Sequence, residues 1–338
     1  LRRGTTADLA VDLGTSNTRI ISRGGGMVHE APTAVAIRPG VRGSEVVAVG
    51  KPARRMLGRT PEEITVIRPV RGGVIADFDA TELLLRHLFK AVGARSLRKP
   101  RVLVCVPTGT TEVERRAVQE CVRAAGAREV LLAATGMAAA IGADIPVMDP
   151  SGSLIVDIGG GRTDIAIVSL GGLVVRRSIQ VAGSAFDESI QRWTRQNHAL
   201  LVGDATAEAV KLRIGAAARV EPARTMRIRG RDLPTGAPRE LDMSTFDTAE
   251  ALHDQVDRIR QTVIDALREA PPEIAADIHD RGLVLCGGGG ALAYLDRVLS
   301  DATGLPVLQP DLPERCVALG AAVLLEDAGL FERVAQAQ

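Results

Sequence analysis

Leu9-Ala-Val-Asp-Leu-Gly-Thr-Ser-Asn-Thr-Arg-Ile20 aligns without a gap on Leu154-Ile-Val-Asp-Ile-Gly-Gly-Gly-Arg-Thr-Asp-Ile165, and Leu, Val, Asp, Gly, Thr and Ile coincide at six of the twelve places. In each copy an apolar run ends in Asp, a Gly-containing turn follows, and a second run returns over 19–22 or 164–169. That is the strand, turn, strand pattern of a hairpin. A repeat of this length predicts two related halves. Their boundary is expected where Pro, Asp and Ser-Gly interrupt the apolar runs at 146–153, giving halves of 1–148 and 149–338.

Outward from each hairpin the pattern alternates between strand and helix. Leu83, Leu84, His87, Leu88 and Ala91 share one helical face, as do Val113, Ala117, Cys121 and Ala124. A short strand is predicted at 101–106 between them. In the second half helices are expected near 185–197, 206–216, 248–269 and 314–325, with a strand at 282–286. Such alternation indicates α/β layers. The basic stretch 225–239 reads as a surface hairpin.

Composition removes several function classes. The 338 residues carry 42 Lys and Arg against 41 Asp and Glu, a net charge of +1, so overall charge does not steer the chain to nucleic acid. Seven aromatic residues are too few for base-stacking platforms. Cys105, Cys121, Cys286 and Cys316 are scattered, which suggests neither a disulfide framework nor zinc and fits a reducing cytosol. Uncharged, mostly apolar stretches such as 283–295, which contains four glycines, are shorter than the roughly 18 residues of a membrane span. Leu1-Arg2-Arg3-Gly4 does not run into a signal peptide's apolar segment. Because the chain opens on Leu, a few initial residues are expected to be missing.

The repeated turns, 12–18 and 157–163, each join a strand-end carboxylate to small residues whose backbone N–H groups can approach an anion closely. Two such turns facing each other would hold a polyphosphate from both sides, with Asp12 and Asp157 holding magnesium through its waters. A third cluster, Cys286-Gly287-Gly288-Gly289-Gly290, ends a strand and precedes an expected helix at 291–300, a nucleotide edge. No P-loop, GxGxxG, GxSxG or HExxH sequence offers another explanation. The five His are dispersed and read as surface or packing residues.

In these turns the chain resembles the MreB/Mbl family of bacterial actin homologues, in the actin-like ATPase superfamily. The likeness extends to Ile67-Arg-Pro-Val-Arg-Gly-Gly-Val-Ile-Ala-Asp-Phe78, Val106-Pro107, Thr111-Glu-Val-Glu-Arg-Arg-Ala117, Met137-Ala-Ala-Ala-Ile-Gly142, Pro271-Pro-Glu-Ile-Ala-Ala-Asp277 and Cys316-Val-Ala-Leu-Gly320. The resemblance implies an actin-like fold: two ribonuclease-H-like domains, four subdomains in all, around a cleft for ATP and Mg2+. It places Gly14, Thr15, Ser16, Asn17, Gly159, Gly160 and Gly161 at the phosphates, Glu208 and Lys211 near the adenosine, and Gly288, Gly289, Gly290 and Ala291 beside it. It also implies cytoplasmic filaments of the chain with itself. These would lie on the inner face of the cytoplasmic membrane and guide the cell-wall synthesis machinery in cell shape.

Three departures qualify that picture. Ala134-Thr135-Gly136 stands where the family usually has an acidic pair followed by Pro, leaving no carboxylate there to orient the attacking water. At most a slow ATPase coupled to polymerisation is expected, with Thr135 as the residue left to position water. The family's apolar membrane loop has become Ser96-Leu-Arg-Lys-Pro-Arg101. Leu97 can still insert, and Arg98, Lys99 and Arg101, with Arg95 and joined by Arg2 and Arg3, shift the contact towards anionic headgroups. Gly72 replaces a usual Asp without an account at this level. A small-molecule, sugar-type kinase on the same fold is the alternative, with Asp164 the nearest candidate base. A DnaK-type chaperone ATPase is not expected, since no substrate-binding domain follows Gln338.

Overall fold

In the computed structural model, which describes residues 8–40, 43–93 and 99–336, the two repeat copies seed two five-stranded sheets of the same order. In the first, Leu9–Leu13, Asn17–Ser22 and Gly26–Pro32 form an antiparallel meander, and Arg101–Val106 and Glu129–Ala134 extend it in parallel. In the second, Ser153–Ile158, Thr163–Ser169 and Gly172–Ile179 form the meander, and Leu283–Cys286 and Val307–Leu308 add the parallel strands. Both predicted hairpins are present.

Burial on both faces explains why these strands read as nearly continuous apolar runs. Leu9 and Val11 point to a core shared with Leu84, Leu88 and Val122 of the helices Phe78–Ala91 and Glu112–Ala124. Ala10, Ile21 and Leu103 point the other way, into a core that also holds Ile155, Ala166 and Val168 of the second sheet. Between the two sheets lie the helices Thr135–Gly142 and Cys316–Glu326. They cross at glycines. A Cβ on Gly142 would fall 1.8 Å from the Cys316 carbonyl oxygen, and one on Gly320 would fall 1.8 Å from that of Ala138. Only backbone fits there. The outer face of the second sheet is covered by Gly183–His198 and Thr245–Glu269 through Phe186, Ile190, Leu252 and Ile259.

Several helices start earlier than apolar spacing indicates, and caps are the reason. Asp77 accepts from the Ala80 N–H and starts a helix at Phe78, ahead of the apolar face that begins at Leu83. Ser244 and Asp247 form a capping box that starts another at Thr245 rather than 248. The helix expected at 291 instead begins at Leu295, because residues 287–292 make successive turns and Tyr294 has a φ of 66°. The stretch 225–239 is indeed largely a hairpin, Thr225–Asp232 with Pro238–Ser244, but its charge is not presented freely. Arg227 pairs with Asp242 and Arg229 with Glu240, each at 2.8 Å. Among the described residues no helix is long and apolar enough to cross a membrane.

Candidate functional site

Each hairpin turn closes in the same way. The Gly14 N–H donates to the Asn17 carbonyl at 3.1 Å, and the Gly159 N–H donates to the Arg162 carbonyl at 2.9 Å. The two turns also meet. A Cβ on Gly160 would collide with Ser16, and one on Gly161 would lie 2.5 Å from Thr15 Oγ1 and 2.9 Å from the Gly72 nitrogen. Glycine at 160 and 161 is therefore a condition of the approach. Around this contact opens a cavity of about 580 Å³. Its wall includes Asp12, Gly14, Thr15, Ser16, Asn17, Asp157, Gly159, Gly160 and Gly161, as the sequence leads one to expect.

The carboxylates of the two turns sit in different fields. Asp12 lies opposite Arg19 across its hairpin, and Arg19 Nη1 reaches Asp12 Oδ2 at 3.3 Å while Nε donates to Glu30 at 2.9 Å. Burial still raises the Asp12 carboxyl above its ordinary value, against the pull of Arg19. Opposite Asp157 stands Asp164. Burial, reinforced by Asp164 and Asp12, pushes the Asp157 carboxyl well above the usual carboxylate range. Asp164 is itself pushed up to about 6 by burial, opposed by its hydrogen bond from Ser178. Among the described residues no His, Cys, Asp and Glu cluster forms a ready metal cage. Two converging buried carboxylates of this kind suit a hydrated cation that keeps most of its water.

Glu208 and Lys211, on the helix Asp204–Ile214, also line the cavity. Glu208 pairs with Arg54. Lys211 Nζ contacts Asp187 Oδ1 at 2.8 Å and donates to the Gly183 carbonyl at 2.9 Å, which fixes its position. Gly288, Gly289 and Ala291 line the cavity beside them. Gly290 lies buried beneath this rim, its carbonyl accepting from Gln309 Nε2 at 3.0 Å. The rim is a pair of turns rather than a helix start, and the anchor is tight: the Gly289 N–H donates to the Ile158 carbonyl at 2.7 Å. Leu212, 73% exposed, and Gly215, Arg213 and Arg224 also line the cavity without having been signalled by the sequence.

Thr135 reaches the wall at the first position of its helix; Ala134, just before it, caps that helix without a side-chain bond. Of the basic loop, Arg95, Leu97 and Arg98 lie outside the described residues, as do Arg2 and Arg3. Lys99 is exposed, whereas Arg101 is held 3.3 Å from Asp8 and so does not stand free for a headgroup.

The profile of the MreB/Mbl protein family matches residues 6–333. The chain is 48% identical to the cell shape-determining protein MreB of Escherichia coli (strain K12) over 323 residues, covering 94% of this chain and 93% of that protein. It is 41% identical to the cell shape-determining protein Mbl of Bacillus subtilis (strain 168) over 321 residues, covering 95% and 96%. Among solved structures it superposes on MreB5 of Spiroplasma citri bound to ADP with a TM-score of 0.89 at 36% identity, covering 95% of this chain and 96% of that one. A MamK double helical filament, with a TM-score of 0.79 at 22% identity over 95% and 99%, shares the fold. Neither the curated relatives nor these structures favour the sugar-type kinase alternative. From the duplicated turns, the sheets they seed and these likenesses together, the chain belongs to the MreB/Mbl family of bacterial actin homologues.

Proposed function

We propose that this chain is a cytoskeletal ATP-binding protein that polymerises into filaments and acts in cell shape. The observation that carries the reading is the meeting of the two turns, Ser16 on Gly160 and Thr15 on Gly161, at the wall of a nucleotide-sized cavity. In this reading the backbone of Thr15 to Asn17 and Gly159 to Gly161 binds the phosphates. Glu208, Lys211 and the rim 288–291 flank the adenosine. Asp12 and Asp157 would hold magnesium through water, and bound there the ion would neutralise charge on the phosphates. The halves 1–148 and 149–338 would act as the two actin-like domains.

With Ala134 and Thr135 in place of an acidic pair, hydrolysis is slow and filaments persist. They attach to the inner face of the cytoplasmic membrane through Leu97, Arg98 and Lys99 and organise the cell-wall synthesis machinery. Many weak contacts along one filament edge give avid attachment, because each later contact is effectively intramolecular.

Calorimetry of Mg–ATP binding by wild type, Asp12→Ala and Asp157→Ala tests the cleft, and unchanged affinity in both variants would overturn it. Electron microscopy with and without Mg–ATP tests assembly, and absence of filaments in both would count against it. Sedimentation of polymer with anionic and neutral vesicles, with Leu97→Asp alongside, tests attachment. Equal pelleting of both proteins would place the membrane contact elsewhere.

A further inference from the structure

Arg162 holds the place in the second turn that Asn17 holds in the first. The guanidinium spans the cleft. Its Nε donates to the Gly72 carbonyl at 2.7 Å, and its Nη1 donates to Ser178 Oγ at 3.1 Å on the strand Gly172–Ile179. Ser178 Oγ in turn donates to Asp164, its partner across the sheet. On the other side the Gly73 N–H donates to Thr15 Oγ1 at 2.9 Å. One run of hydrogen bonds therefore joins Thr15 of the first turn, the loop at 72–73, Arg162 of the second turn, Ser178 and Asp164.

The loop is built to receive that guanidinium. Gly72 and Gly73 have φ of 55° and 79°, in the left-handed region where glycine carries no Cβ penalty. A Cβ on Gly73 would lie 2.8 Å from Pro107 Cγ and 3.5 Å from Arg162 Nε. Gly72, unexplained by the sequence, here belongs to a backbone that presents a carbonyl to Arg162. A planar guanidinium holds its donors in a fixed fork that matches acceptors at set positions, whereas an ammonium is a compact charge with rotatable donors.

We propose that Arg162 is the clasp of the cleft: it fastens the 72–73 loop of the first half to the strand Gly172–Ile179 of the second through hydrogen bonds that involve no nucleotide atom. A ligand shifts an open–closed equilibrium only by its differential affinity for the two states. Where the clasp has already depleted the open state, a terminal phosphate adds little to closure. The chain then discriminates weakly between nucleoside di- and triphosphate, in keeping with a cleft lacking the acidic pair for a hydrolysis cycle. This second step rests on the nucleotide reading above; the clasp itself does not.

Hydrogen exchange on the full chain without nucleotide, followed in peptides spanning 72–73, tests the clasp. Arg162→Ala is expected to speed exchange there roughly tenfold to a hundredfold, the effect of losing a charge-assisted hydrogen bond. Ser178→Ala leaves Arg162 in place but frees one arm of the fork, and should have a smaller effect. The double variant should exchange no faster than Arg162→Ala, since the two side chains act as one unit. Arg162→Lys keeps the charge without the fork and should restore only part of the protection. Calorimetry with Mg–ADP and Mg–AMPPNP reads the consequence: affinities within about threefold of each other in wild type, separating by roughly tenfold or more in Arg162→Ala.

Unchanged exchange at 72–73 in folded Arg162→Ala, or effects that simply add in the double variant, would overturn the clasp. Should Arg162→Ala fail to fold, Ser178→Ala and Arg162→Lys decide by the same readout. A wild-type chain that binds neither nucleotide would overturn the reading of the cleft and leave exchange to decide on Arg162.

Discussion

Opposite Asp12 across the first hairpin stands Arg19; opposite Asp157, at the equivalent place in the second, stands Asp164. The backbones are copies, with the same closing hydrogen bond in each turn, yet one carboxylate faces a cation and the other faces a like charge. The first turn is a neutralised wall further braced by Glu30, which takes Arg19 at 2.9 Å and Arg315 at 2.7 Å. The second is a buried acidic wall. The difference teaches that two turns can share one backbone shape while the side chains opposite them set unlike electrostatics.

The strongest way to break this contrast is to make the first turn like the second. Arg19→Asp would leave Asp12 and Glu30 without their shared cation and set a third carboxylate beside them. Breaking a buried pair in this way costs about 3–5 kcal/mol, so urea unfolding should show a marginal or unfolded chain. A variant as stable as wild type would mean that Arg19 does not balance the first turn.

Acidity tests the second wall. Asp164 has its carboxyl at about 6 in the folded chain against an ordinary 3.8, so between those values the folded state binds more protons than the unfolded one. Nucleotide-free stability should therefore be fullest near the lower value and fall as pH rises through about 6, by up to about 3 kcal/mol from this group. Urea midpoints should be higher at about pH 5 than at about pH 7.5 in wild type, and Asp164→Asn should shrink that gap. An unchanged gap would place the titration elsewhere.

Neutralising each turn carboxylate in turn sharpens the comparison. Asp157→Asn and Asp12→Asn should each weaken Mg–ATP binding by about 10- to 100-fold, the usual effect of disturbing the groups around a metal. Their nucleotide-free stabilities should diverge. Asp157→Asn removes a charge that repels Asp164 and should raise the urea midpoint. Asp12→Asn takes one of two carboxylates from Arg19 and should not. Equal shifts would erase the distinction between the turns.

The smallest effect concerns the wall that neither turn supplies. Thr135→Glu returns a carboxylate to the start of the helix Thr135–Gly142, on the cavity wall. A rise in phosphate release of roughly tenfold, worth about 1.4 kcal/mol of barrier, is expected. Wild-type turnover already equal to that of the variant would mean that the missing acid is not what limits hydrolysis.

The sequence by itself determined the repeat, the α/β layering, both hairpins and the glycines of the two turns. These are local signals: a strand must alternate, a tight turn needs glycine or a small polar residue, and a duplicated motif keeps its spacing. Helix starts at Phe78 and Thr245 were legible only as far as the caps were read, since Asp77 and Ser244 act through hydrogen bonds rather than apolar period. What Asp12, Asp157, Arg162 and Gly72 face was decided by the tertiary structure alone. Arg162 meets Gly72 across 90 residues of chain, Arg315 meets Glu30 across 285, and Gly142 lets its helix lie against one that begins at Cys316. Such partners are brought together by packing of distant segments, and no spacing within a motif records the charge that will lie across a cleft.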